Sequence, residues 1–498
     1  MLRLLNRICL SLLIIGAVEK ASAFALFGPL DTWQTANLGY DGNGGPQNLG
    51  EEYRINTPTL TYGFDSAFLN YFGTNGVADI DQAMKLLNDL PSFRSMTADL
   101  NEYPNDTRRI NYQANALQLY SLKSYALSAV LGEMGLAGAD RYVWCIRNIY
   151  TDPANVLWYT IIKRNFDPVT WEYSSYVNGA MYTYQIAPYD ATPDWDAMEY
   201  ETDPNMPSDT AVSSLADPPP RPVATGSYIT YSYGMFYSGL TRDDVGGLRY
   251  LYDSANWNVE TLPTNAVAAG LGLQTGIIGG GTTGGNPWGQ PPGGTTTNTT
   301  GTNTVTVTNV VVGTATRPGV DHITFVRVNY DSAFGVWVPL TNVWTDTYIT
   351  NYASKTQTLQ RTLTQPDILF TAADMGVDPV GQPILWGITE SFINNSALNA
   401  VGTTGGTLNG PGLVAMPAII SFNKVGPWWY QTAGGNGFVL QGFLWGTFDG
   451  TTNAPIVYPS GISIKALEQA IITGQAGAGQ NPYLNPAGST ASTGQTGP

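Results

Sequence analysis

Apolar and polar residues alternate along the chain in two distinct rhythms. A period near 3.6 places Val77, Ile80, Met84 and Leu87 on one face of a helix predicted over Val77 to Leu90. A longer helix is predicted from Tyr112 to Leu136, with Leu117, Tyr120, Leu127, Val130, Leu131 and Met134 among its apolar positions. Thr241-Arg242-Asp243-Asp244 signals a third helix start, since the Thr hydroxyl can cap the first free amides and the acids favour the positive helix end. Val245, Leu248, Leu251 and Tyr252 then form its buried side.

The second rhythm has a period of two. It predicts strands at Thr59 to Phe64, at Thr304 to Thr308, and at Ile323 to Val328, Val336 to Val343, Ile384 to Ile388, Ala418 to Phe422 and Phe438 to Phe448. Gly, Pro and Asn turns separate the later ones, the pattern expected of a β-sandwich closed by a short helix near Ile464 to Ile472. Residues 263–303 break both rhythms. Gly279-Gly280-Gly281, Gly284-Gly285, Pro291-Pro292-Gly293-Gly294 and a Thr/Asn run carry no charge from 264 to 303, and little apolar area to offset ordering, which reads as a linker. The expected division is a signal peptide at 1–23, a first domain at 24–262, the linker, a β-rich sandwich-like domain at 304–472 and a disordered tail at 473–498.

The start of the chain has the layout of a secretory signal. Arg3 and Arg7 precede the apolar stretch Ile8 to Val18, and Ala21-Ser22-Ala23 offers a small-residue cleavage site, so cleavage is expected after Ala23. The apolar stretch is shorter than the ~20 residues of a spanning helix, and no second one follows, so no transmembrane segment is expected in the mature chain. Location outside the cell or at its surface is the implied compartment.

Charge narrows the partners. The 498 residues carry 22 Lys plus Arg against 38 Asp plus Glu, a net −16, and charged residues make up only 12%. Nucleic acid is excluded as an expected partner, because phosphate binding relies on clustered cations. A second copy, an extracellular protein or a polysaccharide remains.

Chemistry is constrained by what is scarce. The single histidine, His322, excludes any site built from two or three imidazoles of one chain. It sits before a strand of the later region, and no GxSxG elbow supplies a nucleophile for it. Cys9 leaves with the signal, so Cys145 has no internal disulfide partner and is expected to be buried between Trp144 and Ile146. Eight acids occur between Tyr189 and Asp217 with no Lys or Arg before Arg221. Asp194, Asp196, Glu199, Glu201 and Asp203 could gather a Ca²⁺ ion, a hard cation that takes clustered carboxylates, and a solvated loop explains them equally well. Trp428, Trp429 and Tyr430 are either an aromatic platform for sugar rings or core residues, and Trp445 shares that choice.

One stretch carries a family likeness. Leu240 to Tyr252 resembles the last helix of the matrixin branch of the metzincin metalloproteases, and Gly234-Met235-Phe236-Tyr237 stands where that family places its methionine turn. Thr59 to Phe64 followed by a helix is similar to the family's opening strand and first helix, so the resemblance spans residues 55 to 255. It implies an α+β chain: a metzincin-like α/β domain followed by the sandwich-like domain. The family's HExxHxxGxxH motif puts two His on one helix face, a Glu as general base and a third His past a Gly turn. Aligned with it, Ser128, Gly132 and Gly138 take the three ligand positions and Ala129 that of the base, while Gly135 keeps the turn. The resemblance therefore implies a pseudoenzyme without zinc or other cofactor, Ca²⁺ aside. Two readings compete with it: an extracellular subunit that self-associates through its β domain, and a metallopeptidase or other hydrolase with an unrecognised site, for which Glu133 is the one carboxylate near the vacated row.

Overall fold

The computed structural model describes residues 23–28, 48–139, 142–188, 197–202, 233–263, 265–269, 296–300, 303–307, 311–330, 340–350, 352–375, 384–394, 412–424, 430–431, 438–439, 444–459, 464–465 and 467–468. It is a mixed α+β architecture, about 21% helix and 41% strand across several sheets.

The central sheet begins with Thr59–Phe64, whose residues from Leu60 onward are all buried. Such a strand needs cover on both faces and partners on both edges. Thr324–Arg327 lies parallel to it on one edge, and Ile368–Ala373 lies parallel on the other. Ile368–Ala373 in turn pairs parallel with Gly412–Asn423, which carries the antiparallel Trp386–Asn394 on its far edge. Tyr53–Arg54 completes the sheet beside Gly412 and Leu413.

Helix α1, Ser66–Asn88, covers this sheet. Its N-cap Asp65 accepts from the Phe68 amide at 2.8 Å and, through its other oxygen, from the Thr371 hydroxyl at 2.6 Å, so the cap also ties helix to sheet. Phe68 and Phe72, one turn apart, stack at 4.7 Å between ring centres and continue to Phe64 at 4.9 Å and Tyr458 at 5.1 Å. Gly73 interrupts the helix with φ 61°. Helix α2, Tyr112–Ala116, and helix α3, Leu122–Glu133, follow, and α3 lies against α1. At that crossing a Cβ on Gly76 would sit 3.4 Å from Leu122 and only 2.3 Å from Phe72 Cβ. Helix α4, Arg242–Tyr252, carries the expected cap: the Thr241 hydroxyl and amide both engage the Asp244 carboxylate, and all four expected apolar residues are buried.

A second, antiparallel sheet has the order Trp257–Thr261, Thr314–Pro318, Leu340–Thr350, Ala353–Leu363, Ala266–Ala268. Buried ion pairs bind it to the rest. Arg54 engages Glu260, both about 1% exposed, and its Nη1 donates to the Leu251 carbonyl at 2.8 Å. Within the sheet itself, Arg317 pairs with Asp346 at 2.9 Å. Arg361 forms a two-point pair with Asp367 at 2.6 and 2.9 Å, and the same carboxylate accepts from the Thr61 amide and hydroxyl at 2.8 and 2.9 Å.

These contacts correct the expected division. Residues 24–262 and 304–472 share one sheet and one aromatic core, so 263–303 does not separate two independent units. Within that stretch Ala266–Ala268 pairs with Leu359–Arg361, and Thr296–Thr300 pairs with Asn303–Val307. The long helix expected over Tyr112 to Leu136 is also broken. Gln118 takes φ 56°, and Leu119–Ser121 becomes a strand parallel to Leu444–Gly446. A contact some 325 residues away thus outweighs a helical pattern that Leu119 and Tyr120 fit equally well. Ile368–Ala373 and Ala353–Leu363 are strands that the pattern did not separate from their surroundings.

Of the signal segment only Ala23 is described; it is buried and leads directly into the buried strand Phe24–Leu26. The tail 473–498 lies outside the described residues. Among the described residues no helix is long and apolar enough to cross a membrane.

Candidate functional site

The face of α3 that carries Ser128 and Gly132 is assembled from both of its ends. At the start, the Ser121 hydroxyl accepts from the Ser124 amide at 3.3 Å. At the far end the helix stops at Met134, and Gly135 takes φ +98°. A Cβ there would lie 2.3 Å from the Tyr53 carbonyl oxygen, so only glycine fits. The turn is locked by three bonds: Gly135 N to Gly132 O at 2.9 Å, Phe27 N to Gly135 O at 2.9 Å, and the Tyr252 hydroxyl of α4 to Met134 O at 2.6 Å. Leu136–Ala137 then pairs antiparallel with Ala25–Leu26.

The strand Met235–Tyr237 comes against the opposite end of the same helix. The Tyr237 amide donates to the Ser124 hydroxyl at 3.0 Å, and Tyr233 packs its ring 5.2 Å from that of Tyr120. Gly234, with φ +71°, makes the approach possible: a Cβ would meet the Asn115 amide at 2.4 Å and the Asn111 carbonyl at 2.5 Å. Its own amide and carbonyl bond to Leu119 O and Asn111 N, each at 2.8 Å. Met235 itself is half-buried and pairs with Ile110 on the strand Arg108–Ile110.

Ser124, Ser128 and Gly132 recur at one-turn spacing, so they share the face that meets this strand at Ser124. Ser128 and Ala129 are buried, Gly138 is buried past the turn, and at Gly132 no atom beyond the neighbouring helix backbone lies within 4 Å of where a side chain would begin. A hydroxyl, a methyl and two hydrogens offer no imidazole, thiolate or carboxylate to a metal. Glu133 is buried on the adjoining row and has polar company there. The partner of Ser124 was not legible from the sequence, because it lies on a strand more than a hundred residues away.

The other expected site residues are scattered. Glu199 and Glu201 lie on the strand Ala197–Thr202, paired with Ile186 and Tyr184, where a loop was expected. Asp194, Asp196 and Asp203 lie outside the described residues, as do Trp428 and Trp429. Tyr430 opens a short strand with Gln431. Trp445 is a core residue, 1% exposed, its indole donating to the Asn423 carbonyl at 2.7 Å. Cys145 is buried, its thiol 3.6 Å from the Tyr142 carbonyl. His322 is half-buried, with Nδ1 3.4 Å from the Thr324 hydroxyl.

A shallow cavity of about 520 Å³ lies between Arg108–Ile110, Tyr112, Phe236 and Gly450. None of Ser128, Ala129 or Gly132 lines it, so it is separate from the helix face. A buried polar group that no sequence pattern announced is Asp79 of α1, 3% exposed, which accepts from the Thr447 hydroxyl at 2.6 Å. Burial pushes its carboxyl up to about 7, against the opposing pull of Thr447 and of Lys123.

Comparison with known proteins gives no match: no family model, no curated protein and no solved structure aligns with the chain.

Proposed function

We propose that the chain is a secreted, metzincin-like pseudoenzyme that acts by binding or assembly outside the cell or at its surface. The observation that carries this reading is the bond from Tyr237 to Ser124, which brings the methionine-bearing strand onto the helix of Ser128 and Gly132, with Gly138 past its turn. The order of elements adds support: an opening strand, a covering helix, the site helix with its Gly135 turn, the Met235 strand and the capped α4 follow one another as the resemblance implies. A hydrolase lacking both its Lewis acid and its base would need another catalytic device. Zinc content of the purified mature protein, measured beside peptide hydrolysis, tests the reading. Substoichiometric metal and no cleavage are expected; tightly held zinc with chelator-sensitive cleavage would overturn it.

Self-association is a second reading, favoured by the long hairpin Leu340–Thr350 and Ala353–Leu363, where Leu340, Val343 and Tyr352 are exposed. Size-exclusion chromatography with electron microscopy separates the two: concentration-dependent polymers support it, and a monomer at all concentrations excludes it.

A further inference from the structure

Residues 444–459 leave the central core and return across the start of α3. Leu444, Trp445 and Gly446 pair with Leu119, Tyr120 and Ser121, the last being the cap of α3. The far arm, Ile456–Val457, pairs back on Gly446 and Thr447 and delivers Tyr458 into the core beside Phe72. At the centre of this arrangement the Asp79 carboxyl of α1 meets Thr447, whose hydroxyl also lies 2.5 Å from that of Tyr458.

The charges around Asp79 come from all three packed elements. Lys123, in the first turn of α3, is half-buried, and its ammonium reaches Gln82 Oε1 at 3.4 Å. Burial draws the Lys123 ammonium down, while Asp79 and Asp449 pull it up. Asp449, just past Thr447, is a like charge to Asp79, and its own carboxyl is held low by the Thr451 hydroxyl and amide. The Tyr458 phenol is raised by burial and by Asp79 and stays protonated. A protonated Asp79 sits in this site as a neutral hydrogen-bonding group. An ionised one brings a second negative charge, beside that of Asp449, into a site only 3% exposed to water.

We propose that residues 444–459 are a proton-dependent clamp on the amino-terminal end of α3, closed while Asp79 holds its proton and loosened when Asp79 is ionised. The clamp is built from Asp79, Thr447, Lys123 and the Leu119–Ser121 pairing, and it stands whether or not the α3 face is a vacated metal site. Loosening it would free the cap of the helix that carries Ser128 and Gly132, so acidity would set how firmly that face is held.

Hydrogen exchange on the full chain between pH 5.5 and 8.5, corrected for the intrinsic pH dependence of exchange, tests this. Peptides covering 444–459 and 117–124 should open on the order of tenfold more often at pH 8.5 than at pH 5.5, because at pH 5.5 the closed form holds a proton that the open form has released, and by pH 8.5 neither does. Peptides from α4 should not change. In Asp79→Asn the pH response should vanish, with protection at pH 8.5 matching that of the parent at pH 5.5. A parent without the response, or an Asp79→Asn variant that keeps it, overturns the proposal. Should that variant fail to fold, Lys123→Met removes the cation that favours ionised Asp79 and should move the transition to higher pH; an unmoved or lowered midpoint overturns it equally.

Discussion

Gly135 is held by a backbone oxygen. The Tyr53 carbonyl occupies the place of any side chain there, and φ is +98°, so neither strain nor clash can be relieved by a rotamer change. Gly135→Ala is expected to cost about 1–3 kcal/mol, read as a lower urea midpoint with an unchanged slope. Asp367 poses the opposite problem, a buried anion with four bonds. Asp367→Ala leaves Arg361 charged and unpaired in a site 2% exposed, and a loss of roughly 3–5 kcal/mol is expected from the same measurement. For Asp79 the sign follows from its raised value: between the ordinary 3.8 and about 7 the folded form binds the extra proton, so this group's contribution falls as pH rises through that window and is level above it. The parent should therefore lose stability from pH 5 to pH 8 more steeply than Asp79→Asn. Equal slopes in urea titrations at the two pH values would show that Asp79 is not the group responsible.

Elements show which parts of the chain could be read without coordinates. Thr59–Phe64 and α4 were legible because their signals are local: alternation of period two in one, and in the other a Thr cap followed three residues later by Asp244. The Gly135 turn was expected only from the metzincin resemblance. Leu119–Ser121 was not, since Leu-Tyr-Ser satisfies a helix or a strand, and its choice is made by pairing with Leu444–Gly446. Ile368–Ala373 escaped although buried and half-buried residues alternate along it, because Leu369 and Ala373 at its half-buried positions are as apolar as Ile368 and Phe370 at its buried ones. At the site, the Ser128–Gly132 spacing could be read from helix geometry alone, whereas Ser124 and Asp79 acquire their partners from Tyr237 and Thr447, distances in sequence that no periodicity reports. The helix face makes a prediction of its own. If the metzincin-like arrangement is correct, the combined changes Ser128→His, Gly132→His and Gly138→His should create a zinc site absent from the parent, measured by competition with a chromogenic chelator. A folded variant with no gain in zinc affinity would count against the family reading.

At the scale of the whole molecule, the Gly/Thr-rich stretch misleads because composition reports local flexibility and not what its flanks do. Thr59–Phe64 is paired by strands beginning at Thr324 and Ile368, and Arg361 reaches across to Asp367 and the Thr59 carbonyl. Residues 24–262 and 304–472 produced separately should each fail to give a cooperative thermal transition, while the two together, or the intact chain, should give one. Two independent transitions from the separate pieces would restore a two-domain view.

That same strand order governs how the chain comes into being. Tyr62 finds Ile368 only after some three hundred further residues have been made, so the earliest-synthesised part of the sheet has an open, apolar edge for most of translation. Maturation is accordingly a late, all-at-once event, and products cut short anywhere before Asn423 are expected to be substrates for chaperones and proteases instead of partly working proteins.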